Sequence, residues 1–131
     1  AHDRSYSRAL EEIREGRKQS HWMWYIFPQI VGLGLSSTSR FYAIADLEEA
    51  RAYMQHPMLG AHMIEICGVL LGLSANDAED VMGYPDDLKL RSSMTLFSQA
   101  VPSVKIFQQV LDKYFDGKMD QKTLEILGVQ V

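Results

Sequence analysis

The amino-acid sequence predicts an all-α fold, and three observations support that prediction. Apolar residues recur at helical spacing along most of the 131 residues. Residues that begin or end helices stand between these apolar stretches. No run of residues sustains the alternation of apolar and polar side chains that a half-buried strand needs, and no Asn-Gly hairpin signal occurs. We therefore expect a single domain of about seven helices over residues 1–131, without repeats or linkers.

The N-terminal third predicts one clear helix, one ambiguous segment and one loop. Tyr6, Leu10 and Ile13 follow the i, i+4, i+7 pattern of the first helix. The apolar run at residues 21–27 is consistent with a buried helix or with a strand, and its helical surroundings favour a helix. Residues 29–38, which are rich in Gly and Ser, are expected to form a long loop.

The middle of the sequence predicts three helices with well-marked ends. Residues 46–49 form a capping-box-like start, in which an aspartate accepts a hydrogen bond from the N–H of the third residue. The helix that they open stops before Pro57, because the residue preceding a proline avoids the helical region. Pro57 suits the first turn of the next helix, whose apolar stripe spans residues 59–73. Residues 74–77 cap a short acidic helix that ends at Gly83.

The C-terminal third predicts three more helices. The first begins at residues 84–87, and its inward-facing positions are Leu90, Met94, Phe97 and Val101. Pro102 marks a break before the next helix, at residues 104–117. Asp120 caps the last helix, which ends at a glycine.

The composition limits the classes of function. A net charge of −4 at pH 7 argues against a nucleic-acid binder, since such proteins need a basic surface. The basic group Arg14, Arg17 and Lys18 is expected to complement the end of the first helix rather than to bind phosphate. Cys67 is alone, so no intramolecular disulfide is possible, and its apolar neighbours predict a buried, inert thiol. Without a signal peptide or a membrane-spanning run, we expect a cytoplasmic protein that does not bind membranes.

The densest aromatic segment is residues 20–29, which hold both tryptophans, a Tyr, a Phe and a His. Such a segment is too apolar to remain in water, so we expect it to be largely buried, with its polar groups hydrogen-bonded. It is therefore either the densest part of the core or the wall of a pocket. His21 has two open interpretations: a buried imidazole bonded to a backbone carbonyl, or a group that transfers protons or binds a ligand.

Three segments resemble a known family. Residues 20–29 and 83–97 are similar to the two signature segments of the bacterial domain-of-unknown-function family 1810, and residues 56–60 are similar to its third recurring stretch. The resemblance covers nearly the whole chain. It implies the fold of a small all-helical mycobacterial protein, and it implies no established activity. The label calpastatin, which members of this family often carry, finds no support in these residues.

The second signature segment carries polar residues that fit an anion site. On a helix, Lys89, Ser92 and Ser93 form an i, i+3, i+4 cluster beside Thr95, over the surface that the apolar stripe leaves free. Together with N–H groups near the helix start, they could hold a carboxylate or a phosphate. The alternative is a polar helix face whose hydroxyls bond back to their own carbonyls. A nucleophilic serine is not favoured, because the familiar serine–lysine motif has the opposite order.

Neither metal nor cofactor chemistry is indicated. The four histidines lack the i, i+4 spacing with a second ligand that a zinc-binding helix shows, so we expect no metal. The glycines at residues 32–34 lack the third glycine and the preceding strand of a dinucleotide fingerprint, so we expect no cofactor. Asp86 and Asp87 point about 100° apart on a helix. We therefore expect Asp86 to cap the helix and Asp87 to form a salt bridge, rather than the two to act as an acid–base pair.

Two functional hypotheses follow. In the first, both signature segments line a pocket for a small polar or anionic metabolite, nucleotide-like or carboxylated, in a binding protein or an enzyme. The predicted wall is His21, Trp22, Trp24, Gln29, Ser39 and Tyr42, and the predicted floor is Lys89, Ser92, Ser93 and Thr95. In the second, these residues build a rigid core, and a helix face docks on a partner protein that the sequence does not identify. Lys89 separates the two hypotheses, since only the first places it in a cleft with Trp24 and His21.

Overall fold

The computed structural model describes the backbone of residues 2–33 and 37–129 and the side chains of residues 5–33 and 40–129. The helices in these ranges are α1 (His2–Arg14), α2 (Met23–Ile26), α3 (Ser37–Tyr42), α4 (Leu47–Gln55), α5 (Pro57–Gly72), α6 (Ala78–Met82), α7 (Asp86–Ala100), α8 (Ile106–Phe115) and α9 (Gln121–Leu127). The all-α prediction is confirmed, but these ranges contain nine helices, whereas about seven were predicted. Helix α3 begins within the predicted loop, because six residues are too few to show an apolar period. No helix in the described ranges is long and apolar enough to span a lipid bilayer.

The predicted caps of α4, α6 and α9 are present. The side chains of Asp46, Asp77 and Asp120 accept hydrogen bonds from backbone N–H groups in the first turns of α4, α6 and α9, each at 2.9 Å. His56 is a cap that the sequence analysis missed. Its Nδ1 accepts from the N–H groups two and three residues later, both at 3.2 Å, while Pro57 occupies the first turn of α5 as predicted.

The core is built around α7, which packs against α4, α6, α8 and α9. The serines and the threonine of this helix were predicted to spread over its surface, and that prediction is wrong: Ser92, Ser93 and Thr95 are all buried. Neighbouring helices cover most of α7 beyond its first turn, so its buried hydroxyls are expected to bond inside the protein, although Ser93 Oγ has no partner among the described residues. Ser92 Oγ donates to Leu88 O at 3.1 Å, and Thr95 Oγ1 donates to Arg91 O at 2.8 Å. This back-bonding is the alternative that the sequence left open.

One β-type pairing occurs among the described residues, a bridge between Ile30 and Ile44. Val31 N donates to Ile44 O, and Ile44 N donates to Gln29 O, both at 2.8 Å. The bridge ties the end of the aromatic segment to the chain between α3 and α4. It thereby holds the backbone of Gln29 in place at the edge of the cleft described below.

Two residues of α5 show how closely its neighbours pack. Gly60 is buried where α4 crosses α5, and a Cβ at this position would lie 2.1 Å from Met54 O. Cys67 is fully buried, with its Sγ 3.7 Å from Met94 Sδ. Burial raises the pKa of the Cys67 thiol, so the group stays protonated at neutral pH, in agreement with the predicted inert thiol.

Candidate functional site

Trp22 anchors the aromatic segment in the core. It is 1% exposed, and its Nε1 donates to Glu12 Oε1 at 2.9 Å. The same carboxylate accepts from Gln19 N at 2.7 Å and from the backbone N and the Oγ of Ser20 at 2.9 and 2.5 Å. Burial acts to raise the pKa of Glu12, but these hydrogen bonds outweigh burial and lower the pKa to about 2. The Trp22 N–H is thus engaged inside the protein and does not face a ligand.

A chain of charges connects this segment to the start of α7. The Lys18 side chain is 7% exposed, and its Nζ lies 2.8 Å from Asp86 Oδ2 and donates to Ser20 O at 2.5 Å. Asp86 Oδ1 lies 3.3 Å from the Nζ of Lys89, three residues further along α7. Asp86 was predicted to cap α7 and Asp87 to form a salt bridge, but Pro85 occupies the cap position and Asp87 makes no ion pair with a described residue. Asp86 instead joins two lysines, and Lys18 pairs with α7 rather than complementing the end of α1.

Each of these two lysines lies over a tryptophan ring. Lys18 Nζ is 5.0 Å from the ring centroid of Trp22, and Lys89 Nζ is 4.2 Å from that of Trp24. A cation over an indole face is stabilised by about 0.5–2 kcal/mol, with the larger values at desolvated sites. The contact between Lys89 and Trp24 brings the two signature segments together in space.

Trp24 and Lys89 lie in a cleft of about 220 Å³ between α7, the aromatic segment and the start of α9. Its lining residues are Trp24, Gln29, Leu33, Pro85, Leu88, Lys89, Ser92, Asp120 and Lys122. A narrow recess of about 10 Å³, close to the volume of one water molecule, adjoins the cleft at Trp24, Gln29 and Leu33. Arg40 and Tyr42 also line the recess.

The cleft and recess are cationic, although the chain has a net charge of −4. Arg40, Lys89 and Lys122 line them together with one carboxylate, Asp120. Asp120 Oδ2 accepts from the N and Oγ1 of Thr123 at 2.9 and 2.7 Å, so this oxygen is already used in capping α9. The local balance of charge therefore favours an anion.

Gln29 is the neutral polar group that the cleft and the recess share. It is only 8% exposed. Within the described residues its side-chain amide makes no hydrogen bond, whereas its backbone oxygen accepts from Ile44 N. A carboxamide provides two N–H donors and one C=O acceptor. This amide can therefore both donate hydrogen bonds to a ligand in the cleft and accept one from it.

The predicted site residues fall into four groups. Trp24, Gln29, Lys89 and Ser92 line the cleft, and Tyr42 lines the adjoining recess. His21 and Trp22 line a separate open depression beside α1, lined also by Ser5, Arg8, Gln19 and Ser20. Ser93 and Thr95 are in the interior, and the Oγ1 of Thr95 accepts from Asp120 N at 2.8 Å. The side chain of Ser39 lies outside the described residues.

His21 corrects the sequence analysis in two respects. His21 is exposed, so the interpretation as a buried imidazole is wrong, and it does not share a cleft with Trp24. The separation from Trp24 arises because residues around the short helix α2 point in different directions within one turn.

Three charged residues of the site were missed: Asp86 as a bridge between lysines, and Arg40 and Lys122 as lining cations. The i, i+3 spacing of Asp86 and Lys89 was a usable signal for their ion pair. Arg40 and Lys122 carry no such signal, since isolated cations on helices are common on any protein surface. Among the described residues, no three His, Cys, Asp or Glu side chains come together in a way that would hold a metal ion.

Comparison with known proteins identifies relatives but no activity. A family model described as "Protein of unknown function (DUF1810)" matches residues 1–127. The chain is similar to the conserved hypothetical protein Rv1873 from Mycobacterium tuberculosis, known from a crystal structure, with 45% sequence identity and a TM-score of 0.92. The match covers 95% of this chain and 89% of that one. No curated protein matches the sequence significantly. Both the family resemblance and the likeness to a mycobacterial fold are therefore confirmed.

Proposed function

The chain belongs to the DUF1810 family of proteins of unknown function, and from the geometry of its cleft we propose that it binds a small anionic metabolite beside Trp24 and Lys89. The position of Lys89 carries this proposal. Its Nζ lies 4.2 Å from the Trp24 ring centroid and 3.3 Å from Asp86 Oδ1, and its side chain keeps 27% exposure in the cleft. A lysine that is already held in place loses less conformational freedom when an anion binds beside it.

The distribution of charge around Lys89 supports the same proposal. Asp86 is shared between Lys18 at 2.8 Å and Lys89 at 3.3 Å, so the three groups together keep one positive charge that an anion can offset. Partial burial also reduces screening by solvent. Two unit charges 4 Å apart attract by about 1 kcal/mol in water and by about 4 kcal/mol at the effective dielectric constant near a protein surface. An anion in the cleft is thus held more strongly than one at an exposed lysine.

Trp24 contributes by positioning Lys89 rather than by stacking on the ligand. The ammonium covers one face of the indole, so a flat ligand does not occupy that face. The apolar surface open to a ligand comes instead from Leu33, Pro85 and Leu88, the last of which is 45% exposed.

The alternative function, a module that docks on a partner protein, predicts a Lys89 that faces solvent away from Trp24. The 4.2 Å contact favours the binding site instead. Phe41 and Tyr84 are the most exposed large apolar side chains among the described residues, at 80% and 71%. No neighbouring feature indicates what would cover them, so they carry no second function.

Thermal unfolding in the presence of a metabolite panel tests this proposal. A ligand at 100 times its Kd stabilises the folded state by about 2.7 kcal/mol, which raises Tm by several degrees in a domain of this size. We expect anionic but not neutral compounds to raise the Tm of the wild type and of Lys105→Gln, an exposed control that donates only to Pro102 O. Lys89→Gln should lose the shift. Equal shifts in the wild type and Lys89→Gln, or no shift with any anion, would contradict the proposal.

A further inference from the structure

We infer that the anionic ligand of the cleft is a nucleoside monophosphate, with its phosphate at Lys89 and Lys122 and the edge of its base at Gln29. This inference rests on the proposed function and narrows it. The sequence left nucleotide-like and carboxylated metabolites open as ligands, and two features of the lining favour the nucleotide: the amide of Gln29 and the number of the cations.

Gln29 is the group that would recognise the base. Its side chain is 8% exposed, lines the cleft and makes no hydrogen bond with any described residue. A carboxamide presents a donor and an acceptor on one flat group, and the edge of a nucleobase presents the complementary pair. A simple carboxylate accepts hydrogen bonds but donates none. It would therefore pair only with the N–H groups of the Gln29 amide and leave the carbonyl without a partner from the ligand.

The cations of the cleft fit a phosphate better than a carboxylate. Lys89 and Lys122 line its wide part, and among the described residues no arginine does. An arginine fork would match a carboxylate and a phosphate alike, and a lysine binds either as a point charge, so the number of charges rather than their type favours a phosphate. With Arg40 in the recess and Asp120 as the one carboxylate, the lining has a surplus of two positive charges. A phosphate monoester, with about −1.5 to −2 charges at pH 7, neutralises that surplus.

The size of the cleft limits how much of a ligand it encloses. Its volume of about 220 Å³ is below the roughly 300–1,000 Å³ of pockets that enclose drug-sized ligands, so part of a nucleotide would remain in solvent and a larger ligand would extend further out. The recess beyond Gln29 has room for a single water, so the base edge would end at this amide. Leu33, Pro85 and Leu88 supply apolar contacts for the base, since Lys89 already occupies a face of Trp24.

Isothermal titration calorimetry with four probe types tests the inference: the common ribonucleoside 5′-monophosphates, the corresponding nucleosides, inorganic phosphate and benzoate. We expect at least one monophosphate to bind at least tenfold more tightly than its nucleoside, phosphate or benzoate. Lys89→Gln and Lys122→Gln should weaken monophosphate and phosphate binding and leave nucleoside binding unchanged. Gln29→Leu should weaken monophosphate and nucleoside binding and leave phosphate binding unchanged. Lys105→Gln and Gln109→Leu, at exposed positions outside the cleft, are the matched controls.

The outcomes separate the inference from the proposed function. If benzoate binds as tightly as every monophosphate, and its binding is lost in Lys89→Gln, the inference of a nucleotide ligand is wrong, whereas the proposed anion-binding function is supported. If no anion binds in a way that depends on Lys89, both are wrong. Should Gln29→Leu not fold, the side-chain amide NMR signal of Gln29 in the wild type gives an independent test. It should move on addition of the tightest monophosphate and stay in place with inorganic phosphate, and an unmoved signal at saturation overturns the inference.

Discussion

The folding stability of this protein should depend on the ionisation of Glu12 at acid pH. The pKa of Glu12 is about 2 in the folded protein, against 4.5 for an ordinary glutamate. Because the folded-state pKa is the lower one, the unfolded state binds more protons as the pH falls. The stabilisation is therefore complete above about pH 4.5 and is lost as the pH approaches 2. The difference between the two pKa values corresponds to about 3 kcal/mol, of which about 2 kcal/mol is lost by pH 3.

Urea unfolding of Glu12→Gln measures this contribution. The neutral amide cannot accept all of the hydrogen bonds that Gln19, Ser20 and Trp22 donate to the carboxylate. We expect the free energy of unfolding at pH 7 to fall by about 3 kcal/mol relative to the wild type, and this gap to narrow by about 2 kcal/mol at pH 3. Glu11→Gln, at an exposed position on the same helix, should follow the wild type at every pH. A gap that stays constant from pH 7 to pH 3 would refute the reasoning.

Three further predictions concern packing and capping. Gly60→Ala places a Cβ 2.1 Å from a carbonyl oxygen of α4 and should lower the free energy of unfolding, measured by urea titration, by about 1–3 kcal/mol. Gly68 has open space around it, so Gly68→Ala should raise the free energy of unfolding by about 0.5–1 kcal/mol in the same titration. The ammonium of Lys113 donates to two carbonyls at the end of α5. Lys113→Met should therefore lower the free energy of unfolding by about 1–3 kcal/mol, and a change no larger than that of Lys105→Met would contradict this capping role. The thiol of Cys67, fully buried and with a raised pKa, should react with a thiol-specific reagent only at the rate of unfolding, so rapid labelling under native conditions would be inconsistent with the structure.

Most helices and their caps could be predicted because their signals are local. The carboxylates of Asp46, Asp77 and Asp120 reach N–H groups two or three residues away, so short sequences specify these helix starts. Helix α3 was missed because so short a helix shows no period. The imidazole cap at His56 was missed because histidine is not among the usual capping residues.

The candidate site could be predicted in part. The family resemblance singled out the segments that bring Trp24, Gln29 and Lys89 together, and the i, i+3 spacing was consistent with an Asp86–Lys89 pair. Helical periodicity alone did not predict that these residues lie close together. From periodicity we also expected the side of α7 opposite its apolar stripe to face solvent. Other helices pack against α7, and Ser93 on that side is fully buried.

The sequence by itself determined that the chain is helical, where most helices begin and end, and which side of each long helix carries its apolar stripe. These properties depend on contacts within one or two turns. Only the tertiary structure decided that neighbouring helices bury most of α7, that His21 and Trp24 face different depressions, and that Lys122 and Arg40 add their charges to the Trp24 cleft and its recess. The physical reason is that burial and charge proximity depend on which helices pack together, and packing joins residues whose separation along the chain leaves no local pattern.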